Sequence, residues 1–189
     1  MNLLSNKIKE MTKVTDDELQ LILSKFKSAR FKKDEFLIFS EQEQNQKMFF
    51  VRQGCLRIFF VNKEGIESTR HLIFENHFAT TLTNFITDLP SLEYIQALEN
   101  CDVNYILKKD FFRLLETIPC WEIFYRKYLE YAYVTNTSRL ESFITLSALK
   151  RYKLLLNQNP VIVRRLSNKI VASYLSISQE TLSRLKSKL

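Results

Sequence analysis

Six short segments between Arg30 and Leu107 constrain the fold more than any other feature of this sequence. Each has the length of a β-strand and is rich in aromatic and β-branched residues. They read DEFLIF, KMFFV, CLRIFFV, TRHLIF, EYIQAL and CDVNYIL. The chain's two glycines, Gly54 and Gly65, each lie between or beside such segments, and we expect both to turn hairpins. Many short antiparallel strands in so few residues predict a small jelly-roll β-barrel.

Helical patterns flank the strand region on both sides. The segment TDDELQLILSKFK is amphipathic, with Thr15 as its N-cap, and KDFFRLLE predicts a short helix after the last strand. A long helix is predicted over residues 117–146, because Pro119 falls in its first turn, where proline is tolerated. One stripe of this helix could pack on the barrel or on a second copy of the chain: Trp121, Phe124, Tyr128 and Tyr131.

The basic residues are concentrated in the last part of the chain. The formal net charge is +7 overall, but residues 147–189 hold nine Lys and Arg against one acid, Glu180. This segment therefore accounts for the whole excess, and the remainder is close to neutral. A near-neutral body joined to a strongly basic segment is typical of a nucleic-acid-binding module. Charge alone also allows a merely solvated basic face.

The spacing of apolar residues in NKIVASYLSISQETLSRL predicts a helix-turn-helix. The residues expected on the facing sides of the two helices and in the turn are Val171, Ala172, Leu175, Ile177, Leu182 and Leu185. Ser178 is a suitable N-cap for the second helix, and Glu180 suits the positive end of its dipole. Ser176 stands in the turn where glycine is common, so a left-handed backbone there would cost roughly 1 kcal/mol.

The outward residues of the second helix form the candidate DNA-contacting site. In a helix-turn-helix, residues near the start of the second helix meet base edges, and flanking groups meet phosphates. The predicted base-contacting residues are Gln179, Glu180, Ser183 and Arg184. The predicted phosphate-contacting residues are Ser178, Thr181, Lys186, Lys188 and Lys169. Arg can pair with guanine, Gln with adenine and Glu with cytosine, so the set suits direct readout.

Three segments resemble the Crp/Fnr transcription regulators, most closely the shorter members that lack the usual effector motif. FFVRQGCLRIFFVNKEGIE is similar to the strand, glycine, strand and turn of a cyclic-nucleotide-binding jelly roll. CDVNYILKKDFFRLL is similar to its last strand and exit helix, and SYLSISQETLSRL to the recognition helix. The resemblance covers nearly the whole chain. It implies an α+β protein with a jelly-roll sensory domain at 1–116, a central dimerisation helix at 117–146 and a winged helix-turn-helix domain at 147–189.

The resemblance also implies a function and partners. Members of this family are homodimers that read near-palindromic double-stranded DNA, with base contacts at the positions of Gln179, Glu180 and Arg184. Glu180 and Arg184 are the family's usual residues, whereas the position of Gln179 varies. RNA polymerase is a further candidate partner, and the effector is either an unknown small molecule or none. We therefore expect a transcription regulator and not an enzyme, with no cofactor and no metal.

The effector region departs from the nucleotide-binding members. Those members hold the cyclic phosphate with a Gly-Glu pair and a later Arg-Ser pair. The segment FENHFATTLTNFITDLPSLEYIQAL contains neither glycine nor arginine, and Ser91 and Leu92 stand where Arg-Ser would fall. A buried phosphodiester without a cation or a glycine turn is poorly compensated. We therefore expect that the sensory domain does not bind cyclic AMP.

Other functions leave weaker traces in the sequence. A cupin-like metalloenzyme would need clustered ligands, but His71 and His77 are the chain's two histidines, and no G-x-S-x-G nucleophile turn exists. Cys55, Cys101 and Cys120 are widely spaced, match no iron–sulfur pattern and are expected to be core thiols. The alternative that stays open is a signalling or interaction module that binds a cyclic nucleotide or another small ligand, or an acidic protein, and whose basic C-terminal segment reads no DNA sequence.

The sequence gives no reason to expect a membrane partner. No apolar run approaches the roughly 20 residues that span a bilayer, and the segment MNLLSNKIKEMTK has neither an apolar signal core nor a cleavage site. Cytoplasmic localisation is the expectation.

Overall fold

A computed structural model describes residues 2–40 and 46–187. The chain begins with helices α1 (Asn2–Met11) and α2 (Asp16–Ser24). The strands follow as β1 (Lys27–Phe31), β2 (Phe36–Ile38), β3 (Lys47–Gln53), β4 (Leu56–Val61), β5 (Glu67–Ile73), β6 (Phe78–Ala79), β7 (Glu93–Ala97) and β8 (Cys101–Leu107), with α3 (Leu82–Thr87) between β6 and β7. The remaining helices are α4 (Lys108–Thr117), α5 (Pro119–Thr145), α6 (Ala148–Gln158), α7 (Pro160–Arg165), α8 (Asn168–Leu175) and α9 (Gln179–Lys186).

The described strands form a sandwich of two antiparallel sheets. One sheet has the order β1-β8-β3-β6 and the other β2-β7-β4-β5. The core between them contains Leu56 and Ile58 of β4, Ile95 of β7 and Val103 of β8, all buried. The predicted fold class of a jelly-roll domain, a long helix and a helical C-terminal unit is confirmed. The strands do not close into a single barrel in the part of the chain that the structure describes.

The prediction that Gly54 turns a hairpin is wrong. The strands on either side of it, β3 and β4, belong to different sheets, so the chain crosses from one sheet to the other at this point. Gly54 has φ +96°, and a Cβ there would lie 2.6 Å from Cys101 Sγ. The tight crossing therefore needs glycine. Gly65, with φ +77°, does turn the β4–β5 hairpin as predicted.

A second core joins the N-terminal helices to the sandwich. The aromatic residues Trp121, Phe124 and Tyr128 of α5 are buried in it together with Phe50 of β3 and Phe111 of α4. This settles where the aromatic stripe of the long helix packs: it lies on the chain's own sandwich, except for Tyr131, which is 59% exposed. Helix α1, which the sequence patterns did not predict, contributes the buried residues Leu4 and Ile8 to this core.

The C-terminal helices form a third core that includes residues of the sandwich. Cys55 and Leu98, which precede β4 and follow β7, are buried with Val171, Ala172 and Leu182 of the last two helices. Residues 148–187 contain helices and no strand, so the wing that the family resemblance implied is not seen there. Cys55, Cys101 and Cys120 are free and buried, as expected of core thiols. None of the described helices is long and apolar enough to cross a membrane.

Candidate nucleic-acid interface and the adjoining cleft

Helix α9 presents its predicted readout residues to solvent because its apolar residues point the other way. Ser178 caps the helix by accepting a hydrogen bond from the Thr181 backbone N–H at 3.1 Å. Leu182 and Leu185 are buried against α8, which fixes the rotation of the helix about its axis. The predicted base-contacting residues Gln179, Glu180, Ser183 and Arg184 are all exposed. The structure thus brings these four residues to one open face near the helix N-terminus.

The turn before α9 depends on a strained residue. Ser176 ends α8 in the left-handed region, with φ 52° and ψ 50°. This conformation lets the Ile177 N–H return to the Ala172 carbonyl at 3.0 Å, which satisfies an orphan carbonyl at the end of α8. Ser176 therefore sets the angle at which α9 leaves α8, although its side chain disfavours that conformation.

The charged residues of α9 are paired in the unbound chain. Glu180 and Arg184, one turn apart, form an ion pair in which both side chains are more than two-thirds exposed. Lys186 Nζ donates to Asn168 Oδ1 of α8 at 2.5 Å. Because exposed pairs of this kind contribute little to stability, Arg184 can turn outward at small cost.

The predicted phosphate-contacting residues lie on two helices. Ser178 and Thr181 share a hydrogen bond between their hydroxyls at 2.9 Å, at the start of α9. Lys169, in the first turn of α8, is exposed, with its Nζ 3.9 Å from Glu67 Oε2. Lys188 lies outside the described residues. The DNA-contacting roles of all these residues stay predictions.

Sequence reasoning did not predict the role of Arg165, which lies at the end of α7 and binds two carboxylates of the sandwich. Its guanidinium donates four hydrogen bonds, at 2.6 to 3.1 Å, to the carboxylates of Glu75 and Glu99, which follow β5 and β7. The hydrogen bonds from Arg165 lower the pKa of Glu75 to about 2. The same two carboxylates raise the pKa of the Arg165 guanidinium above its ordinary value. Arg165 therefore forms an intramolecular ion-pair network, although the charge count groups it with the candidate DNA-binding segment.

Further polar contacts hold α8 on the outer edge of the sandwich. Ser173 Oγ accepts from the Thr69 N–H and donates to the Glu67 carbonyl, both at 2.9 Å. Arg139 of α5 donates to the carbonyls of Thr69 and Tyr174, at 2.9 and 2.6 Å. These bonds tie the long helix, the sandwich and the C-terminal unit at one point on β5.

Beside this point lies a cleft of about 460 Å³. Its walls come from β5 and β6 of the sandwich, from α5, and from the C-terminal helices. Most of the lining residues are apolar or aromatic, among them Ile73, Phe78, Tyr131, Ala132, Ile162 and Tyr174. The size lies within the range of small-molecule sites in proteins, roughly 300 to 1,000 Å³.

The polar groups of the cleft are bonded to each other. Arg70 forms an ion pair with the buried carboxylate of Glu93, and its Nη2 donates to Asn136 Oδ1 of α5 at 3.2 Å. His71 Nε2 donates to the same oxygen at 2.8 Å. Burial lowers the pKa of His71 to about 4, so the ring is neutral near pH 7. Burial also raises the pKa of Glu93, and its ion pair with Arg70 opposes that shift.

Ser91 and Leu92, which the sequence analysis aligned with the family's Arg-Ser pair, differ in their surroundings. Ser91 is buried, and its Oγ accepts from the Glu93 N–H at 3.1 Å. Leu92 is 66% exposed. In residues 2–40 and 46–187, no three His, Cys, Asp or Glu side chains are placed to hold a metal ion, and this includes the surroundings of His71 and His77.

Known proteins are similar to this chain in sequence over the sandwich and in structure over most of its length. Residues 29–118 match the family described as cyclic nucleotide-binding domain. No curated protein sequence matches the chain. Several hundred solved chains are similar to it in structure.

Three of these structures cover most of both chains at low sequence identity. The c-di-GMP-responsive global regulator CLP of Xanthomonas campestris has a TM-score of 0.74 and 14% identity, covering 92% of this chain and 91% of its own. A protein assigned to the crp/fnr family of transcriptional regulators from Eubacterium rectale has a TM-score of 0.74 and 15% identity, with 91% and 82% covered. FixK2 of Bradyrhizobium japonicum has a TM-score of 0.72 and 16% identity, with 87% and 84% covered. At these identities the likeness establishes the fold.

Proposed function

We propose that this chain is a sequence-specific DNA-binding transcription regulator of the Crp/Fnr type, acting as a homodimer and without catalytic activity. The observation that carries the proposal is the exposed polar face of α9, which is formed by Gln179, Glu180, Ser183 and Arg184. The helix is capped at its N-terminus, and its opposite face is buried. A merely basic surface would need no such ordered set of hydrogen-bonding residues. The likeness to solved regulators of this family supports the same reading.

The exposed side of α5 supports the homodimer. While its aromatic stripe is buried on the sandwich, the opposite side leaves apolar residues at helical spacing in solvent, between 60% and 74% exposed: Tyr133, Val134, Leu140 and Ile144. Residues 133, 140 and 144 recur at the seven- and four-residue steps of a helix–helix seam. A second copy of the same helix would cover this stripe and place two recognition helices together.

The mechanism that we propose is allosteric. Two recognition helices must lie about 34 Å apart to enter successive major grooves. An effector that binds one arrangement of sandwich, α5 and C-terminal helices better than another would shift that spacing. We propose that the effector is not cyclic AMP, because Ser91 and Leu92 replace the Arg-Ser pair and the nearby Arg70 is already neutralised by Glu93. The three-domain division at residues 116 and 146 belongs to the same proposal.

Selection of bound sequences from a random DNA pool tests the proposal directly. The selected duplex is then titrated against scrambled DNA at two salt concentrations. We expect an inverted repeat that binds at least about a thousandfold more tightly than scrambled DNA. Weak, unselective binding that salt abolishes would instead identify a basic surface, and the interaction-module reading would replace this one.

Two substitutions on α9 separate base readout from charge. Arg184→Ala should lose roughly 1 to 3 kcal/mol of binding free energy, concentrated at one base pair, because a bidentate contact to guanine is removed. Lys186→Ala should lose less, and should do so on every sequence, because a phosphate contact carries no sequence information. Anisotropy titrations against single-base variants of the selected site measure both effects. Equal losses for the two variants on selected and random DNA would contradict base readout.

A further inference from the structure

The arginines that line the cleft between β5, α5 and the C-terminal helices are already paired with carboxylates inside the protein. The cleft's two arginines are Arg70 and Arg165 among its described lining residues. Arg70 is paired with Glu93, and Arg165 with Glu75 and Glu99. Both guanidiniums are about one-third exposed, so they can be reached from the cleft but already have partners.

The burial of Glu93 determines how the cleft responds to an anionic ligand. Its side chain is 4% exposed, whereas that of Arg70 is 31% exposed. An anion that approached Arg70 would come close to a second negative charge in a region of low dielectric, where repulsion between like charges is strong. The Arg70 guanidinium already donates to Glu93 and Asn136, so an anion that used its remaining donors would lie beside the buried Glu93 carboxylate. The pair therefore acts against anionic ligands, although it contains an arginine.

We infer that the cleft binds an uncharged, largely apolar small molecule, and that Glu93 is the residue that excludes anionic ligands. The aromatic and aliphatic walls provide the apolar surface, with Phe78, Tyr131 and Ile162 on three different sides. The uncharged polar side chains of Tyr131, Thr135 and Asn136 also line the cleft on its α5 side. This inference assigns an effector class to the sensory domain of the proposed function, and it rests on that proposal only for the link to DNA.

The position of the cleft gives such a ligand influence over the C-terminal helices. Its walls belong to the sandwich through Arg70 and Phe78, to the long helix through Tyr131, and to the C-terminal unit through Ile162 and Tyr174. A molecule that fills the cleft contacts all three at once. Its binding energy therefore depends on how the three are arranged, which is the requirement for an allosteric effector.

Two dyes that differ by one sulfonate test the inference on the full chain. N-phenyl-1-naphthylamine is uncharged, and 8-anilinonaphthalene-1-sulfonate is the same ring system with an anionic group. In fluorescence titrations at pH 7 we expect the uncharged dye to bind at least about tenfold more tightly, a ratio that corresponds to about 1.4 kcal/mol. Cyclic AMP, added as a competitor, should not displace it. Tighter binding of the sulfonate dye, or displacement by cyclic AMP, would overturn the inference.

Substitution of Glu93 tests the residue itself. Glu93→Gln keeps the size and a hydrogen-bond acceptor for Arg70 but removes the charge. We expect it to raise the affinity for the sulfonate dye about tenfold and to change the affinity for the uncharged dye less than about twofold. Glu64→Gln, at the exposed β4–β5 turn, is the matched control and should change neither affinity. An unchanged sulfonate affinity in Glu93→Gln would refute the role of Glu93.

A filling substitution assigns the dye to this cleft. Ala132→Trp, on the α5 wall, should abolish binding of the uncharged dye. If circular dichroism shows that this variant is unfolded, Thr135→Trp serves as a second filling variant. Unchanged binding in a folded filling variant would place the dye elsewhere and overturn the inference. Because these titrations need no DNA, a chain that binds the dyes as expected but selects no DNA sequence would refute the proposed function and not this inference.

Discussion

Ser176 adopts a left-handed backbone conformation that is unfavourable for serine but is required by the turn between α8 and α9. The residue is left-handed, with φ 52°, in the turn between α8 and α9. An L-residue with a Cβ is disfavoured there, and the serine hydroxyl does not remove that penalty. The sequence identified this position as one where glycine is expected, because the turn pattern is local. The sequence did not determine whether the backbone at Ser176 is left-handed, because that angle depends on how closely α8 and α9 pack.

Ser176→Gly should stabilise the chain by roughly 0.5 to 1 kcal/mol, since glycine adopts this angle freely while losing somewhat more entropy on folding. Urea unfolding at pH 7 measures the change. Ser187→Gly is the matched control, because Ser187 ends α9 with an ordinary φ of −75°. The control should be neutral or slightly destabilising. Equal effects of the two substitutions would show that the left-handed angle is not the source of the gain.

Among the elements, α7 is short but firmly anchored. Arg165 at its end binds Glu75 and Glu99, and Glu75 Oε1 also accepts the Gly54 N–H at 2.9 Å. One carboxylate therefore links the sheet crossing at Gly54 to the C-terminal helices. Since the three charged side chains are about one-third exposed, solvent screens the network, and its contribution to stability is modest.

Arg165→Ala should destabilise the chain by about 1 kcal/mol at pH 7, with most of the loss in the C-terminal helices. Arg165→Lys should recover part of this, because lysine keeps the charge but not the forked geometry. Urea unfolding followed by circular dichroism measures both variants. Arg164→Ala is the control, because this neighbouring arginine forms no ion pair with residues 2–40 or 46–187. An equally large loss in Arg164→Ala would count against a specific anchor.

Acid should weaken the same anchor in a defined pH range. Glu75 has a pKa of about 2 in the folded chain against an ordinary value of 4.5, so the folded chain binds its proton less readily. Its contribution to stability is therefore complete above pH 4.5 and is lost as the pH falls toward 2. Glu75→Gln should flatten this part of the curve of unfolding free energy against pH. An unchanged slope between pH 5 and pH 2 would contradict the assignment.

Sequence reasoning succeeded where neighbouring residues determine the structure. The N-cap of α2 at Thr15, the β4–β5 turn at Gly65 and the N-cap of α9 at Ser178 were all predicted from a few adjacent residues. The contacts of Arg165 were not, because its partners lie 66 and 90 positions away. The same reason explains the error at Gly54, because β3 pairs with the distant β8 and β4 with the distant β7, and these pairings place the two strands in different sheets.

At the scale of the whole molecule, the two sides of α5 have different roles. Trp121 and Phe124 are fully buried on the chain's own sandwich, whereas Leu140 and Ile144 near the other end are exposed. The sequence alone could not divide these roles, because helix α1, which completes the buried side, was not predicted. The exposed side is the surface that the proposed homodimer uses.

Leu140→Glu should convert the dimer to a monomer and weaken binding to an inverted repeat by at least about tenfold, because the second half-site is no longer bound in tandem. Sedimentation velocity and anisotropy titration measure the two effects. Leu3→Glu changes an exposed leucine of α1 that lies off this stripe, and should leave both unchanged. A wild-type chain that is monomeric both free and on the selected DNA would contradict the proposed dimer.

The third core has a consequence for how such a protein can be recombined. Cys55 and Leu98 of the sandwich are buried among the residues that hold α8 and α9 together. In a chimera that joins α6–α9 to a foreign sensor after the long helix, the apolar residues of α8 and α9 would face unrelated side chains in place of Cys55 and Leu98. We therefore expect that the C-terminal helices do not fold stably when they are separated from the sandwich. Transfer of the proposed DNA specificity should require either grafting only the outward residues of α9 or also transferring the sandwich surface that contains Cys55 and Leu98.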